Sequence, residues 1–218
     1  MSGDSVKLYS FWRSSACYRV RIALNLKRIA FETVSVHLPG NAQHEPAFKE
    51  INPQEIIPVL MHGGRVLRQS LAIMEYLDET WPENPLLPSV ARDRQRSRAI
   101  AQAIACEIHP LNNLRVMKYL ETTFGASQQQ RETWMRHWIS TGFDALEKVL
   151  NDNPSTGAFC EGDRPTIADC CLVPQVYNAK RFGVEMAPYA NISRINDDCL
   201  ALEPFDRARP ELQPDAPR

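Results

Sequence analysis

Residues 6–24 read VKLYSFWRSSACYRVRIAL, and this stretch decides how the chain folds. Its first six residues are β-prone and apolar at alternate positions, which predicts a strand. Apolar side chains then recur at helical spacing, as in Tyr18 and Ile22, which predicts a helix that opens near Ser14 and Ser15. The sequence therefore predicts a strand, a serine turn and a helix in direct succession.

The two serines at the start of this helix have two interpretations. Serine is a preferred N-cap residue, so Ser14 and Ser15 could serve only to begin the helix. The open backbone N–H groups of a first helical turn also carry partial positive charge and favour a thiolate or carboxylate beside them. The serine turn is therefore a candidate anion site.

The composition excludes several classes of protein. The 218 residues include 25 Lys and Arg against 26 Asp and Glu, so the chain has no basic excess for binding nucleic acid. No apolar run reaches the length of a membrane span, and the first residues lack a basic start followed by an apolar stretch. We expect a cytoplasmic protein with no nucleic-acid or membrane partner.

The six cysteines and five histidines do not form a metal site in the sequence. There is no C-x-x-C pair and no His spacing typical of zinc, so no metal is predicted. Most of the cysteines are expected to be small buried residues in a reducing compartment. Cys17 alone, beside the serine turn, has the alternative of a redox thiol.

Short strands alternate with helices up to about residue 80. The expected strands are 6–11, 32–36, 59–62 and 65–67, and the expected helices are 15–27 and 70–79. Gly63-Gly64 predicts a hairpin between the last two strands. This order predicts a small α/β domain with a mixed sheet over residues 1–82.

A proline-rich linker, placed at 83–90, separates this domain from a helical one at 91–218. Long helices are expected at 91–124, interrupted by Pro110, and at 128–150. A capping-box-like start at Thr166 predicts a third helix through Phe182. The proline-rich tail from Pro204 onward is expected on the surface.

Further residues could complete a site. The proline after Ile57 could simply begin the third strand, or it could leave backbone groups for an extended peptide ligand. Gln69-Ser70 begins the next helix with another hydroxyl, which could hold a carboxylate or serve only as an N-cap. His109, Asn113 and Arg115 lie around Pro110, although a solvated helix face would also explain them. Arg13 and Arg181 are candidate carboxylate ligands, because a guanidinium offers two parallel donors; a surface position is the alternative.

Together these segments resemble the zeta class of glutathione transferases over essentially the whole chain. The motifs that carry the resemblance are Ser14-Ser15-x-x-Tyr18-Arg19-Val20-Arg21-Ile22-Ala23-Leu24, Asn52-Pro53, Ile57-Pro58, Gln69-Ser70-Leu71-Ala72-Ile73, Ile108-His109-Pro110-Leu111-Asn112-Asn113-Leu114-Arg115, Ala168-Asp169 and Leu172-Val173-Pro174-Gln175-Val176. The resemblance implies a thioredoxin-like α/β N-terminal domain, an all-α C-terminal domain and a homodimer. Many members place a cysteine after the serine pair, where this chain has Ala16, so that cysteine's role is not carried over.

The resemblance also implies a role for each candidate residue. Ser14 and Ser15 would act at the sulfur of glutathione, and either serine could make the contact. Ile57 would pair its backbone with the cysteinyl unit of glutathione. The other implied glutathione ligands are Gln43, Gln69, Ser70, His109 and Asn113.

The implied activity is glutathione-dependent cis–trans isomerisation of maleylacetoacetate to fumarylacetoacetate, a step of tyrosine and phenylalanine degradation, by reversible thiolate addition. A dicarboxylic keto acid needs cationic partners, which we assign to Arg13, Arg115 and Arg181. Isomerisation of maleylpyruvate in gentisate degradation is an alternative. A general glutathione-conjugating transferase, a disulfide-exchange protein built on Cys17 and a binding module are others.

Overall fold

The computed structural model describes residues 5–217, which form two compact units. The first unit contains residues 5–86 together with 201–217, and the second contains residues 87–200. No helix in the described part of the chain is long and apolar enough to cross a membrane.

The first unit is built on a four-stranded mixed sheet. Its strands are β1 (Val6–Ser10), β2 (Phe31–Ser35), β3 (Val59–His62) and β4 (Arg65–Arg68), and its helices are α1 (Ser15–Leu26), α2 (Pro46–Ile51), α3 (Ser70–Thr80) and the short α9 (Glu203–Asp206). The strand order is β2-β1-β3-β4, with β2 parallel to β1 and the other pairs antiparallel. The predicted mixed α/β sheet is confirmed.

The sequence of the first unit explains its hairpin turn and its buried core. Gly63 and Gly64 both have positive φ, as a two-residue hairpin turn requires, and they pair His62 with Arg65. In α1, residues 17–24 are all buried, including two arginines. The helix lies against α3, and Leu8 and Leu60 of the sheet are fully buried.

The C-terminal tail belongs to the first unit. Phe205 and Ala208 are buried, and the Ala208 carbonyl accepts a hydrogen bond from Arg21 Nε at 3.1 Å. Asn25 Nδ2 of α1 donates to the Pro204 carbonyl at 2.9 Å. The prediction of a surface tail, counted with the helical domain of 91–218, is wrong on this point, because the tail supplies apolar side chains and acceptors to α1.

The second unit is helical, as predicted, and none of residues 87–200 forms a strand. Its helices are α4 (Ala91–Gln102), α5 (Leu114–Phe124), α6 (Gln128–Asn151), α7 (Ile167–Arg181) and α8 (Ala190–Leu200). The domain limits of 82 and 91 stay a prediction. α8 was not predicted.

Two predicted features of the second unit have clear geometry. Between α4 and α5 the chain passes through a π-helical turn, 103–108, and a 3₁₀ turn, 109–112, so the helix is interrupted at Pro110 as predicted. The Thr166 N–H donates to Asp169 Oδ2 at 2.7 Å, and Thr166 Oγ1 accepts from the Ala168 N–H at 3.1 Å. This capping box starts α7.

Candidate functional site

Ser14 is the N-cap of α1 and directs its hydroxyl over the first turn. Its Oγ accepts from the Cys17 N–H at 3.3 Å, and its own N–H donates to the Phe11 carbonyl at 3.0 Å. Within residues 5–217 the Ser14 hydroxyl hydrogen has no acceptor, and the N–H groups of Ser15 and Ala16 have no partner. The turn therefore presents a hydroxyl donor and two amide donors to an anion.

Cys17 lies beneath this turn and is fully buried. Burial raises the pKa of its thiol, and the hydrogen bond to Ser14 offsets only part of that effect. A buried and protonated thiol is a poor nucleophile. The structure therefore contradicts the alternative in which Cys17 is a redox thiol.

The backbone at Ile57 is open to a ligand. The Ile57–Pro58 peptide bond is cis, and in the described residues neither the N–H nor the C=O of Ile57 has a hydrogen-bond partner. Buried Asn52 holds the preceding loop, because its Nδ2 donates to the Ile56 carbonyl at 2.7 Å and its Oδ1 accepts from the Gln54 N–H at 3.1 Å. The loop thus exposes an edge that an extended peptide could pair with.

Gln69 and Ser70 form the start of α3. Gln69 has φ 71°, which is left-handed backbone and costly for a non-glycine residue, and its Nε2 donates to Gln54 Oε1 at 2.9 Å. Buried Ser70 accepts at Oγ from Arg19 Nη1 at 3.2 Å. A guanidinium therefore supports this helix start from below, and the Ser70 O–H can still donate outward.

Gln43 carries a buried acceptor that has no partner in the described part of the chain. Its side chain is 6% exposed, and Oε1 makes no hydrogen bond. The adjacent His44 Nδ1 lies 2.5 Å from Glu55 Oε2, and this bond keeps the pKa of the Glu55 carboxyl below its usual value. The His44–Glu55 and Gln54–Gln69 bonds connect two of the predicted segments, those of Gln43 and Gln69, to the loop that precedes Ile57.

The second unit holds the remaining predicted residues. Asn113 caps α5, since its Oδ1 accepts from the Arg115 N–H at 3.2 Å, and the Arg115 side chain is exposed. His109 is half-buried in the turn at Pro110. Arg181 lies in the last turn of α7, with its guanidinium 4.6 Å from the ring centre of Phe182.

Arg13 directly precedes Ser14 in the first unit, and its guanidinium lies 5.1 Å from the centre of the Trp12 ring.

Arg19 and Gln54 were not predicted as site residues. The signal for Arg19 is a charged residue among the apolar, core-facing residues of α1. Among the described residues no group of three or more His, Cys, Asp or Glu side chains is arranged to hold a metal ion.

Comparisons with known proteins show which family the chain belongs to. Residues 8–85 match the family described as "Glutathione S-transferase, N-terminal domain". The chain is 48% identical to the probable maleylacetoacetate isomerase of Vibrio cholerae serotype O1, over 97% of this chain and 99% of the relative.

Two solved structures are similar over nearly the whole chain. One is a holo structure of a maleyl pyruvate isomerase described as a bacterial zeta-class glutathione S-transferase, with a TM-score of 0.95, 48% identity and coverage of 97% of this chain and 100% of that one. The other is a maleylacetoacetate isomerase from Methylobacterium extorquens AM1 with bound malonate and GSH, with a TM-score of 0.95, 43% identity and the same coverage. The chain therefore belongs to the zeta class of the glutathione transferases.

Proposed function

We propose that this protein catalyses the glutathione-dependent cis–trans isomerisation of maleylacetoacetate to fumarylacetoacetate. The observation that carries the proposal is the serine turn, in which the Ser14 hydroxyl and the Ser15 and Ala16 amides can all donate to one anion. The Vibrio cholerae relative at 48% identity supports the choice of reaction.

Glutathione is the cofactor that these residues fit. It is a short peptide, and Ile57 offers it an unpaired backbone N–H and C=O. Gln69 and Ser70 would bind the γ-glutamyl end of glutathione at the start of α3, where the Arg19 guanidinium also donates to Ser70 Oγ. Gln43 would form a hydrogen bond to the side of the glutathione molecule. Its buried Oε1, which has no partner among the described residues, supports contact with a donor of the ligand.

Bound glutathione supplies a thiolate that adds reversibly to the cis double bond, so that the former double bond can rotate. An ordinary cysteine thiol has a pKa of about 8.5, so the site must favour the charged form at neutral pH. Ser14 and Ser15 are the residues that do this, through a hydroxyl hydrogen bond and the positive end of α1. His109 and Asn113 are proposed to contribute from the second unit.

The substrate of this proposal carries two carboxylates. Arg13, Arg115 and Arg181 are proposed to bind them, because each guanidinium can give two parallel hydrogen bonds to one carboxylate. The Methylobacterium extorquens structure, which contains malonate with GSH, supports a dicarboxylate beside glutathione in this class.

Maleylpyruvate is a second candidate substrate, favoured by the 48% identity to the maleyl pyruvate isomerase. Its isomerisation follows the same chemistry on a shorter diacid. The deciding experiment measures the isomerisation of both substrates by purified protein, with and without glutathione. A higher kcat/KM for maleylacetoacetate supports the proposal. A higher kcat/KM for maleylpyruvate makes that compound the substrate instead. If the protein isomerises neither compound with glutathione, a glutathione-conjugating transferase is the function that remains.

A homodimer and a cytoplasmic location complete the proposal. The six cysteines are all free, which supports a reducing compartment. Light scattering on the purified protein tests the dimer, because it gives the mass in solution against 24.8 kDa for one chain.

A further inference from the structure

The turn that carries Ser14 is held at Trp12 by two charged side chains. The Trp12 N–H donates to Asp215 Oδ2 at 3.0 Å, and the Trp12 carbonyl accepts from Arg21 Nη2 at 2.9 Å. Both hydrogen-bonding groups of this residue's backbone are therefore engaged by ions, which form stronger hydrogen bonds than neutral partners do.

Asp215 comes from the opposite end of the chain. The same Oδ2 accepts from Ser35 Oγ at 3.2 Å, so the carboxylate joins the C-terminal tail to the end of β2 as well as to the serine turn. Both hydrogen bonds join residues more than 150 positions apart in the sequence, so they form only through the tertiary fold.

Arg21 links the same two segments from inside the core. Besides Trp12, its guanidinium donates to Ser10 Oγ at 3.3 Å and to the Ala208 carbonyl of the tail at 3.1 Å. Its side chain is 1% exposed, so burial lowers the pKa of the guanidinium, and the charge of Asp215 is among the interactions that offset part of this effect. The Asp215 carboxylate and the Arg21 guanidinium thus both connect the C-terminal tail to the serine turn.

The position of Trp12 fixes the geometry of the serine turn. Ser14 lies two residues further along the chain, and its N–H closes the turn on the Phe11 carbonyl at 3.0 Å. The Arg13 guanidinium rests on the Trp12 ring. A rotation of the Trp12 peptide would displace the Ser14 hydroxyl, and a hydrogen bond weakens steeply as its angle and distance change.

We infer that Asp215 is a positioning residue, which holds the serine turn in the geometry that lets Ser14 stabilise a thiolate. This inference rests on the proposed function, because it concerns the same turn. It assigns to the C-terminal tail a role in the chemistry of the N-terminal unit.

The test compares Asp215→Ala and Asp215→Asn with two control variants. Asp206→Ala removes a carboxylate of the same tail that pairs with exposed Arg209 at 3.1 Å. Ser35→Ala removes the other donor to Asp215 but keeps the Trp12 contact. The measurements are kcat, KM for each substrate, the melting temperature, and the pKa of the bound glutathione thiol from thiolate absorbance.

We expect Asp215→Ala to raise the pKa of the bound thiol and to lower kcat at neutral pH about tenfold, the loss that one misplaced charge-assisted hydrogen bond produces. KM for the dicarboxylate should change less than kcat. Asp215→Asn keeps an acceptor oxygen and should fall in between, while both controls should stay within about twofold of the wild type. The lost rate should return as the pH is raised, since thiolate then forms without help, and a merely destabilised fold would not recover in this way.

The outcomes separate this inference from the proposed function. Wild-type turnover together with an Asp215→Ala enzyme whose thiol pKa and kcat match those of Asp206→Ala would overturn the inference alone. If the wild type binds glutathione but isomerises neither substrate, the proposed function fails and the thiol pKa still decides the inference. A wild type that binds no glutathione would overturn both.

Discussion

Arg19 Nη1 donates to the hydroxyl oxygen of Ser70 over 3.2 Å, and both side chains are buried. The bond joins α1, which begins at the serine turn, to the first residue of α3. It places a positive charge below a helix start whose amides already favour an anion. The two helix starts proposed to hold glutathione are therefore linked through the core.

Removal of this charge should weaken glutathione binding selectively. Arg19→Met is expected to raise KM for glutathione about tenfold, with a smaller change in KM for the dicarboxylate, because one charge-dependent contact is worth roughly 1–2 kcal/mol. Steady-state kinetics with each substrate varied in turn measures the effect.

Lys27→Met is the matched control for this variant. Lys27 is a buried cation at the C-cap of the same helix, and its Nζ lies 2.8 Å from Asp78 Oδ1. Lys27→Met should lower the free energy of unfolding about as much as Arg19→Met does but leave KM for glutathione unchanged. Equal rises in KM for the two variants would show that Arg19 acts only through the fold.

Ser14→Ala should reduce turnover much more than it reduces stability. Loss of one preorganised donor to a developing or bound anion lowers kcat by about 10²-fold, whereas loss of an N-cap costs about 1 kcal/mol. Ser15→Ala, assayed in parallel, identifies which hydroxyl serves the sulfur. Turnover and thermal melting should be measured on the same preparations.

The control for Ser14 is another serine N-cap. Ser127 caps α6 in the second unit, and its Oγ accepts from the Gln130 N–H at 3.3 Å. Ser127→Ala should lower the melting temperature to a similar extent without loss of turnover. Full activity in Ser14→Ala would exclude this serine from the mechanism.

The elements of the first unit could be predicted because their signals are local. Alternation in β1, the Gly63-Gly64 pair and the serine at the start of α1 each act within a few residues. Helix α8 was missed because its N-terminus is capped from another helix. Glu147 of α6 accepts from the Asn191 N–H at 2.7 Å and from the Ile192 N–H at 3.0 Å.

The same distinction explains what was found of the site. Residues that would face a ligand, such as Ser14 and Ser70, carry recognisable helix-start patterns. Arg19, Arg21 and Asp215 form hydrogen bonds to partners far away in sequence. Apolar neighbours in α1 indicate that the two arginines face the core, but nothing near any of the three residues in the chain identifies those partners. The role of a buried arginine becomes clear only when the acceptors around it are known.

Cys17→Ala should leave turnover within about threefold of the wild type, since a small buried side chain is lost at a cost of about 1 kcal/mol. A disulfide-exchange protein would instead lose its activity. In the native protein, a thiol reagent at neutral pH should modify exposed Cys106 rapidly, and the five buried cysteines only after unfolding.

The raised pKa of the Cys17 thiol also predicts how stability depends on pH. Burial holds the folded-state pKa above the ordinary value of a cysteine thiol, so the folded state keeps its proton where the unfolded state begins to lose it. This contribution is complete below the unfolded-state pKa and is lost as the pH rises through the folded-state value. Denaturant unfolding above pH 9 should therefore show a smaller loss of stability in Cys17→Ala than in the wild type.

Arg115→Leu tests the assignment of the substrate carboxylates. The Arg115 side chain is exposed at the first turn of α5, so its replacement should not disturb the core. We expect KM for maleylacetoacetate to rise about tenfold or more, because a charge-assisted pair to one carboxylate is lost, while KM for glutathione changes less than twofold. Arg92→Leu is the control, since Arg92 is also exposed on a helix of the second unit, where it pairs with neighbouring Asp93 at 3.1 Å. If KM for the two substrates rises in parallel in Arg115→Leu, the residue shapes the site as a whole, and the carboxylates must be bound by Arg13 and Arg181.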